Sequence, residues 1–108
     1  MNGSFEIREY AESGRSPFAE WFDDLDAVTA ARVNRYIRRL EAGNFGSAKW
    51  LRDGVFELRI DFGPGYRVYF GRDGRTLIVL LCAGTKRRQE ADIAAAVERW
   101  KRYKQTRE

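Results

Sequence analysis

The chain has 108 residues, 44% of them hydrophobic and 14% aromatic, which is enough for one core in one domain over residues 1–108. A single cysteine, Cys82, excludes an internal disulfide and a cysteine zinc site, and the lack of any histidine excludes His-based acid–base catalysis, Ser-His triads and His-ligated metals. The net charge of +4 is unevenly spread: residues 1–26 hold two basic and seven acidic side chains, residues 27–54 six and two, and residues 85–108 eight and four.

Met1-Asn2-Gly3-Ser4 does not open a signal peptide, and no apolar run is long enough to span a bilayer, so a cytoplasmic protein with no membrane partner is expected. Residues 5–10 alternate and predict a first strand. Ser16-Pro17 is a helix start, with serine as N-cap, proline at the first helical position, and Phe18, Trp21, Phe22 and Leu25 as the apolar stripe. Asp26 caps a second helix running to about Ala42 and stopped by Gly43-Asn44. On it Ala30, Val33, Ile37 and Leu40 line one side, and Arg32, Arg35, Arg38 and Arg39 the other. Residues 43–51 predict a loop carrying Lys49 and Trp50. Strands follow over 55–61, 66–72 and 76–82, the last with Cys82 as a buried, inert thiol. A final helix from about Arg88 turns Gln89, Ile93, Ala96, Val97 and Trp100 to one face; its last residues, through Glu108, are expected to fray.

The order β-α-α-β-β-β-α predicts an α+β fold: N-terminal strand, helical hairpin, antiparallel three-strand meander and C-terminal helix. In the middle hairpin, Asp61 is expected to pair with Arg67, Arg59 with Tyr69, Ile60 with Val68 and Leu58 with Phe70. One face is then apolar (Phe56, Leu58, Ile60, Tyr66, Val68, Phe70), and the other carries Arg59, Asp61, Arg67 and Tyr69. A one-residue slip would mix the two sets and bury arginines, so burial is expected to select this pairing. The helical hairpin should cover the apolar face. The cationic face should stay open except where the C-terminal helix meets an edge or end.

That face, followed by Gly84-Thr85-Lys86-Arg87-Arg88-Gln89, suits a phosphate-bearing partner. Gly63-Pro64-Gly65 reads as a turn and not a phosphate loop, since proline lacks the N–H a cradle needs. Asp61 is the one acid near the cations, which argues against a two-metal nuclease, and no metal or cofactor is expected. Arginine, lysine and tyrosine remain. Arginine clamps phosphate and stabilises charge growing on phosphorus, and in RNA the nucleophile can be the substrate's own 2′-OH. Plainer readings stand beside these: Arg67 paired with Asp61, Tyr69 as packing, and the basic runs as solvated surface.

Asp53-Gly54-Val55-Phe56-Glu57-Leu58-Arg59-Ile60, Gly63-Pro64-Gly65-Tyr66-Arg67-Val68-Tyr69-Phe70, and Leu80-Leu81-Cys82-Ala83-Gly84-Thr85-Lys86 with Gln89 and Asp92-Ile93 form an ordered series. The series resembles the RelE/ParE toxin superfamily and, within it, the HigB-like addiction module killer branch of type II toxin–antitoxin systems. The resemblance implies a ribosome-dependent mRNA endonuclease silenced by a cognate antitoxin, a small helix-turn-helix protein, with the ribosome and mRNA as further partners. By the same resemblance Arg67 is the phosphate-stabilising arginine, Arg59 a basic position on the preceding strand, and Lys86 or Arg87 the basic position after the last strand. Arg87, Arg88, Gln89 and Lys49 would help bind RNA. The superfamily's C-terminal tyrosine base has no equivalent at Ala91-Asp92-Ile93, leaving Tyr69, Asp92 or Lys86 to move the proton. Trp50 and Trp100 read as core or antitoxin-contact residues. A gyrase inhibitor of the ParE kind and a non-catalytic RNA-binding module are the alternatives.

Overall fold

The structure, a computed structural model, describes residues 4–107. The elements run β1 (Glu6–Glu9), α1 (Pro17–Asp23), α2 (Ala27–Glu41), β2 (Ala48–Arg52), β3 (Val55–Ile60), β4 (Tyr66–Asp73), β5 (Leu77–Thr85), a 3-10 turn (Lys86–Arg88) and α3 (Gln89–Thr106). The fold is α+β. Its five-stranded sheet has the order β1-β5-β4-β3-β2, with β1 parallel to β5 and the other pairs antiparallel.

Both predicted helix starts are present. Ser16 Oγ accepts from the Ala19 N–H at 3.0 Å, and Asp26 Oδ1 accepts from the Thr29 N–H at 2.8 Å. The α2 C-terminus closes as a Schellman turn: Gly43 at φ 89° donates to the Leu40 carbonyl, and Asn44 to that of Arg39. Phe18 of α1 and Val33, Ile37 and Leu40 of α2 pack on Leu58, Ile60, Val68, Phe70, Ile78 and Leu80 of the sheet. This is the apolar face the alternation predicted.

Three expectations are corrected. First, the loop expected at 43–51 gives way at Ala48 to an edge strand, β2, joined to β3 by Asp53-Gly54 with φ of 52° and 82°. Two positive φ values suit a two-residue I′ hairpin, and Asp-Gly is its usual sequence. Trp50 on this edge is 60% exposed and belongs to no core.

Second, the middle hairpin pairs two residues away from the expected register: Arg59 faces Arg67, Leu58 faces Val68 and Phe56 faces Phe70, leaving residues 61–65 as the loop. Loop geometry decides this, because the Gly65 N–H bonds to the Phe62 carbonyl at 3.0 Å in a tight turn with Gly63 and Gly65 at positive φ. A two-residue shift keeps every side chain on its face, so the apolar set is unchanged.

Third, the second sheet face is not open. After the 3-10 turn α3 folds back across β5, β4 and β3, burying Tyr10, Val55, Tyr69, Val79, Leu81, Cys82, Ala96 and Trp100 in a second core. Gly71 makes this approach possible, since a Cβ there would lie 2.5 Å from the Trp100 ring. Tyr103 adds a hydrogen bond to Asp73 at 2.7 Å. A bulge at Tyr69/Phe70 brings Leu81 and Cys82 both toward α3, so strict alternation fails there. The fraying expected through Glu108 meets a helix continuing to Thr106; Glu108 itself, and Met1 to Gly3, lie outside the described residues. No helix among them is long and apolar enough to cross a membrane.

Candidate functional site

Beyond the N-terminal end of α3, the sheet is left uncovered where the β3–β4 loop meets the turn after β5. Arg59 and Arg67 face each other across β3 and β4, and Arg67 pairs in register with Gly84 on β5. The Lys86 N–H donates to the Gly65 carbonyl at 3.0 Å, tying the 3-10 turn to the loop. The outcome is a shallow cleft of about 310 Å³ lined by Arg59, Asp61, Phe62, Gly63, Pro64, Gly65, Arg67 and Lys86. A second hollow of about 300 Å³ shares Arg59 and Asp61 and extends the surface to Ser47 and Lys49. Four candidates from the sequence, Arg59, Arg67, Lys86 and Lys49, therefore border one continuous strip. Among the described residues, Lys49, Arg59, Lys86 and Arg87 form no ion pair.

Two arginines directly opposite on a sheet repel, so their pairing costs stability unless a charge nearby offsets it. Glu57 supplies it. Its carboxylate, 1% exposed, lies 3.6 Å from Arg67 Nε and accepts from Gln89 Nε2 at 2.5 Å. Arg67 is 4% exposed, with Nη1 donating to the Tyr66 carbonyl at 3.2 Å, so it forms the recessed floor of the cleft and not a projecting side chain. The expected partner, Asp61, lines the cleft without pairing with it.

The remaining candidates fall elsewhere. Tyr69, expected on the open face, is 0% exposed beneath α3, and its hydroxyl has no hydrogen-bond partner. Burial first, then the Glu57 and Asp92 carboxylates, push its phenol well above the ordinary value. It does not line the cleft. Gln89 points inward to Glu57, and exposed Arg88 lies 3.7 Å from Asp92; Arg87 is exposed at the rim of the turn. Burial pushes the Cys82 thiol up to about 11, against the opposing pull of Arg99, as suits an inert core thiol. Among the described residues no cluster of acids and cysteine could hold a metal.

Sequence reasoning missed Glu57. Its signal was present: Glu57, Arg59 and Arg67 share a face by alternation, and the corrected register sets Glu57 diagonal to Arg67. Asp92, weighed as a proton carrier, is buried against Gly84, where its Oδ2 has no partner and any Cβ would collide with it. Burial raises its pKa, with Arg88 and then Arg99 opposing. The folded state therefore holds this proton more tightly than the unfolded chain. Its contribution to stability is present at acid pH and is lost as pH rises through the raised folded value. Asp92→Asn cannot ionise, so its stability relative to the unaltered protein should increase from about pH 4 upward. Urea midpoints across that range test this, and a pH-independent difference would refute it.

Residues 20–103, a stretch that includes every candidate above, match the family described as phage-derived protein Gp49-like (DUF891). A protein of Haemophilus influenzae (strain ATCC 51907 / DSM 11121 / KW20 / Rd), itself described as uncharacterized, is 48% identical over 80 residues, covering 73% of this chain and 81% of that one. The matched family is related to the RelE-like toxins and associated with toxin–antitoxin modules.

Proposed function

The chain belongs to the Gp49-like family, and from that premise we propose that it is a HigB-like toxin of a type II toxin–antitoxin pair: a metal-independent, ribosome-dependent mRNA endonuclease held silent by a cognate antitoxin. The observation that carries the reading is the cleft itself, where Arg59, Arg67 and Lys86 meet with Lys49 alongside and with Asp61 as the carboxylate in the lining. Such a site suits a phosphodiester. The substrate's 2′-OH attacks the adjacent phosphorus, the 5′-oxygen leaves, and a 2′,3′-cyclic phosphate forms. Arg67 and Arg59 offset the charge growing on the non-bridging oxygens. Asp61 is the proton acceptor nearest that chemistry, and the Lys86 ammonium is the donor for the leaving oxygen. Tyr69, sealed under α3, has no part in it.

A shallow cleft with four cations attracts RNA weakly, so the ribosome must supply the positioning that the protein lacks. Free single-stranded RNA should bind with log K falling by about 2–3 per decade of salt. The test is 5′-end mapping of an mRNA incubated with the purified chain, with and without translating ribosomes. Cuts inside the reading frame only with ribosomes support the reading. Inhibition of gyrase supercoiling without cleavage would replace it with a gyrase poison, and neither effect would leave an RNA-binding module.

A further inference from the structure

We infer that Glu57 and Gln89 are positioning residues that keep the Arg67 guanidinium available to the cleft, so that the docking of α3 sets the state of the site. The inference rests on the reading of the cleft as a phosphate site. Three elements converge on one buried carboxylate: Glu57 comes from β3, Arg67 from β4 and Gln89 from the first turn of α3. A buried ion pair ordinarily closes into direct hydrogen bonds, because each charge left without partners is costly. Here it does not close. Glu57 Oε2 is taken by Gln89 Nε2 at 2.5 Å, while Arg67 Nε stands 3.6 Å from that same oxygen and has no hydrogen-bond acceptor.

Gln89 thus competes with Arg67 for Glu57. The carboxylate offsets the arginine's charge without tying it down, and the guanidinium can meet an anion in the cleft without breaking a bidentate pair. The position of Gln89 is itself set by packing. Asp92, one turn along α3, presses against Gly84, the register partner of Arg67, and Trp100 seats the far end of the helix on Gly71. The turn that leads into Gln89 also carries Lys86, anchored through its N–H to the β3–β4 loop. Helix docking therefore places one cation and frees another.

Gln89→Ala removes the competitor and leaves a small, half-buried gap at a helix start, which the fold should tolerate. Glu57 is then expected to close on Arg67 Nε and draw the guanidinium off the cleft. Two readouts report this. The Arg67 Nε–Hε resonance in ¹⁵N-labelled protein should move downfield as the bond forms. The rate constant for cleavage of ribosome-bound mRNA should fall by about tenfold to a hundredfold with KM little altered. Adding Glu57→Gln to Gln89→Ala removes the charge that pulls; it leaves the buried Arg67 charge without its offset and lowers stability, but in the folded fraction both signals should return toward their starting values. Urea midpoints for each variant check folding. An Hε resonance that stays in place in Gln89→Ala overturns the inference, as does a moved resonance with an unchanged rate. An unaltered protein that cuts no ribosome-bound mRNA overturns the phosphate-site reading instead, and the resonance is read independently of that result.

Discussion

Arg67→Lys is expected to lower ribosome-dependent cleavage by on the order of 10²-fold while leaving the urea midpoint near that of the unaltered protein. Lysine keeps a positive charge beside Glu57 but cannot present the two-pronged donor edge that suits a phosphate. Losing one such contact to a transition state costs about 2.7–4 kcal/mol. Alanine is the poorer probe, for a reason the structure supplies. Arg67 is 4% exposed and faces a carboxylate that is 1% exposed, so truncation removes the charge that offsets Glu57. Breaking a buried pair in this way costs about 3–5 kcal/mol of stability, and Arg67→Ala should lose fold and activity together. The measurement is single-turnover cleavage on stalled ribosomes beside urea unfolding. A folded Arg67→Lys protein with an undiminished rate would remove Arg67 from the site.

Trp100→Ala should destabilise the protein by about 3–5 kcal/mol, lowering Tm by about 15–30 °C. The indole is 4% exposed and stacks on Tyr103 with ring centroids 5.2 Å apart. It also fills the hollow over Gly54 and Gly71. Deleting it opens a cavity between α3 and the sheet at the centre of the smaller of the two cores. Because the same helix carries Gln89, residual folded protein should also show weakened cleavage. Gly71→Ala probes the opposite surface, where the new methyl must displace the ring at a cost of about 1–3 kcal/mol. Thermal melts followed by tryptophan fluorescence test both. A Trp100→Ala midpoint within a few degrees of the unaltered protein would mean that α3 does not depend on this contact.

Helix boundaries were legible because capping is local. Ser16, Asp26 and Gly43-Asn44 act through backbone groups within five residues of themselves, so the chain sequence alone carries the signal. The faces of β3 and β4 were legible for a related reason: side chains alternate with period two, and the true register, two residues from the expected one, leaves each on the same side. That is why Arg59 and Arg67 could be placed on one face before their pairing was known. Asp53-Gly54 carried the signal for β2 as well, but a short edge strand with one charged and one exposed aromatic residue at its centre lacks the alternation that marks a strand.

What sits on the second face belonged to tertiary structure. Three of the points that receive α3 are Gly54, Gly71 and Gly84, residues with no side chain to register in any hydrophobic pattern; their meaning appears only when Trp100 and Asp92 occupy the space they leave. Tyr69 and Glu57 look like solvent-facing strand residues until the helix crosses over them, and burial then turns one into packing and the other into the counter-charge of Arg67. Sequence periodicity reports which residues can share a face. Whether water or another element covers that face depends on long-range packing, which no local pattern records.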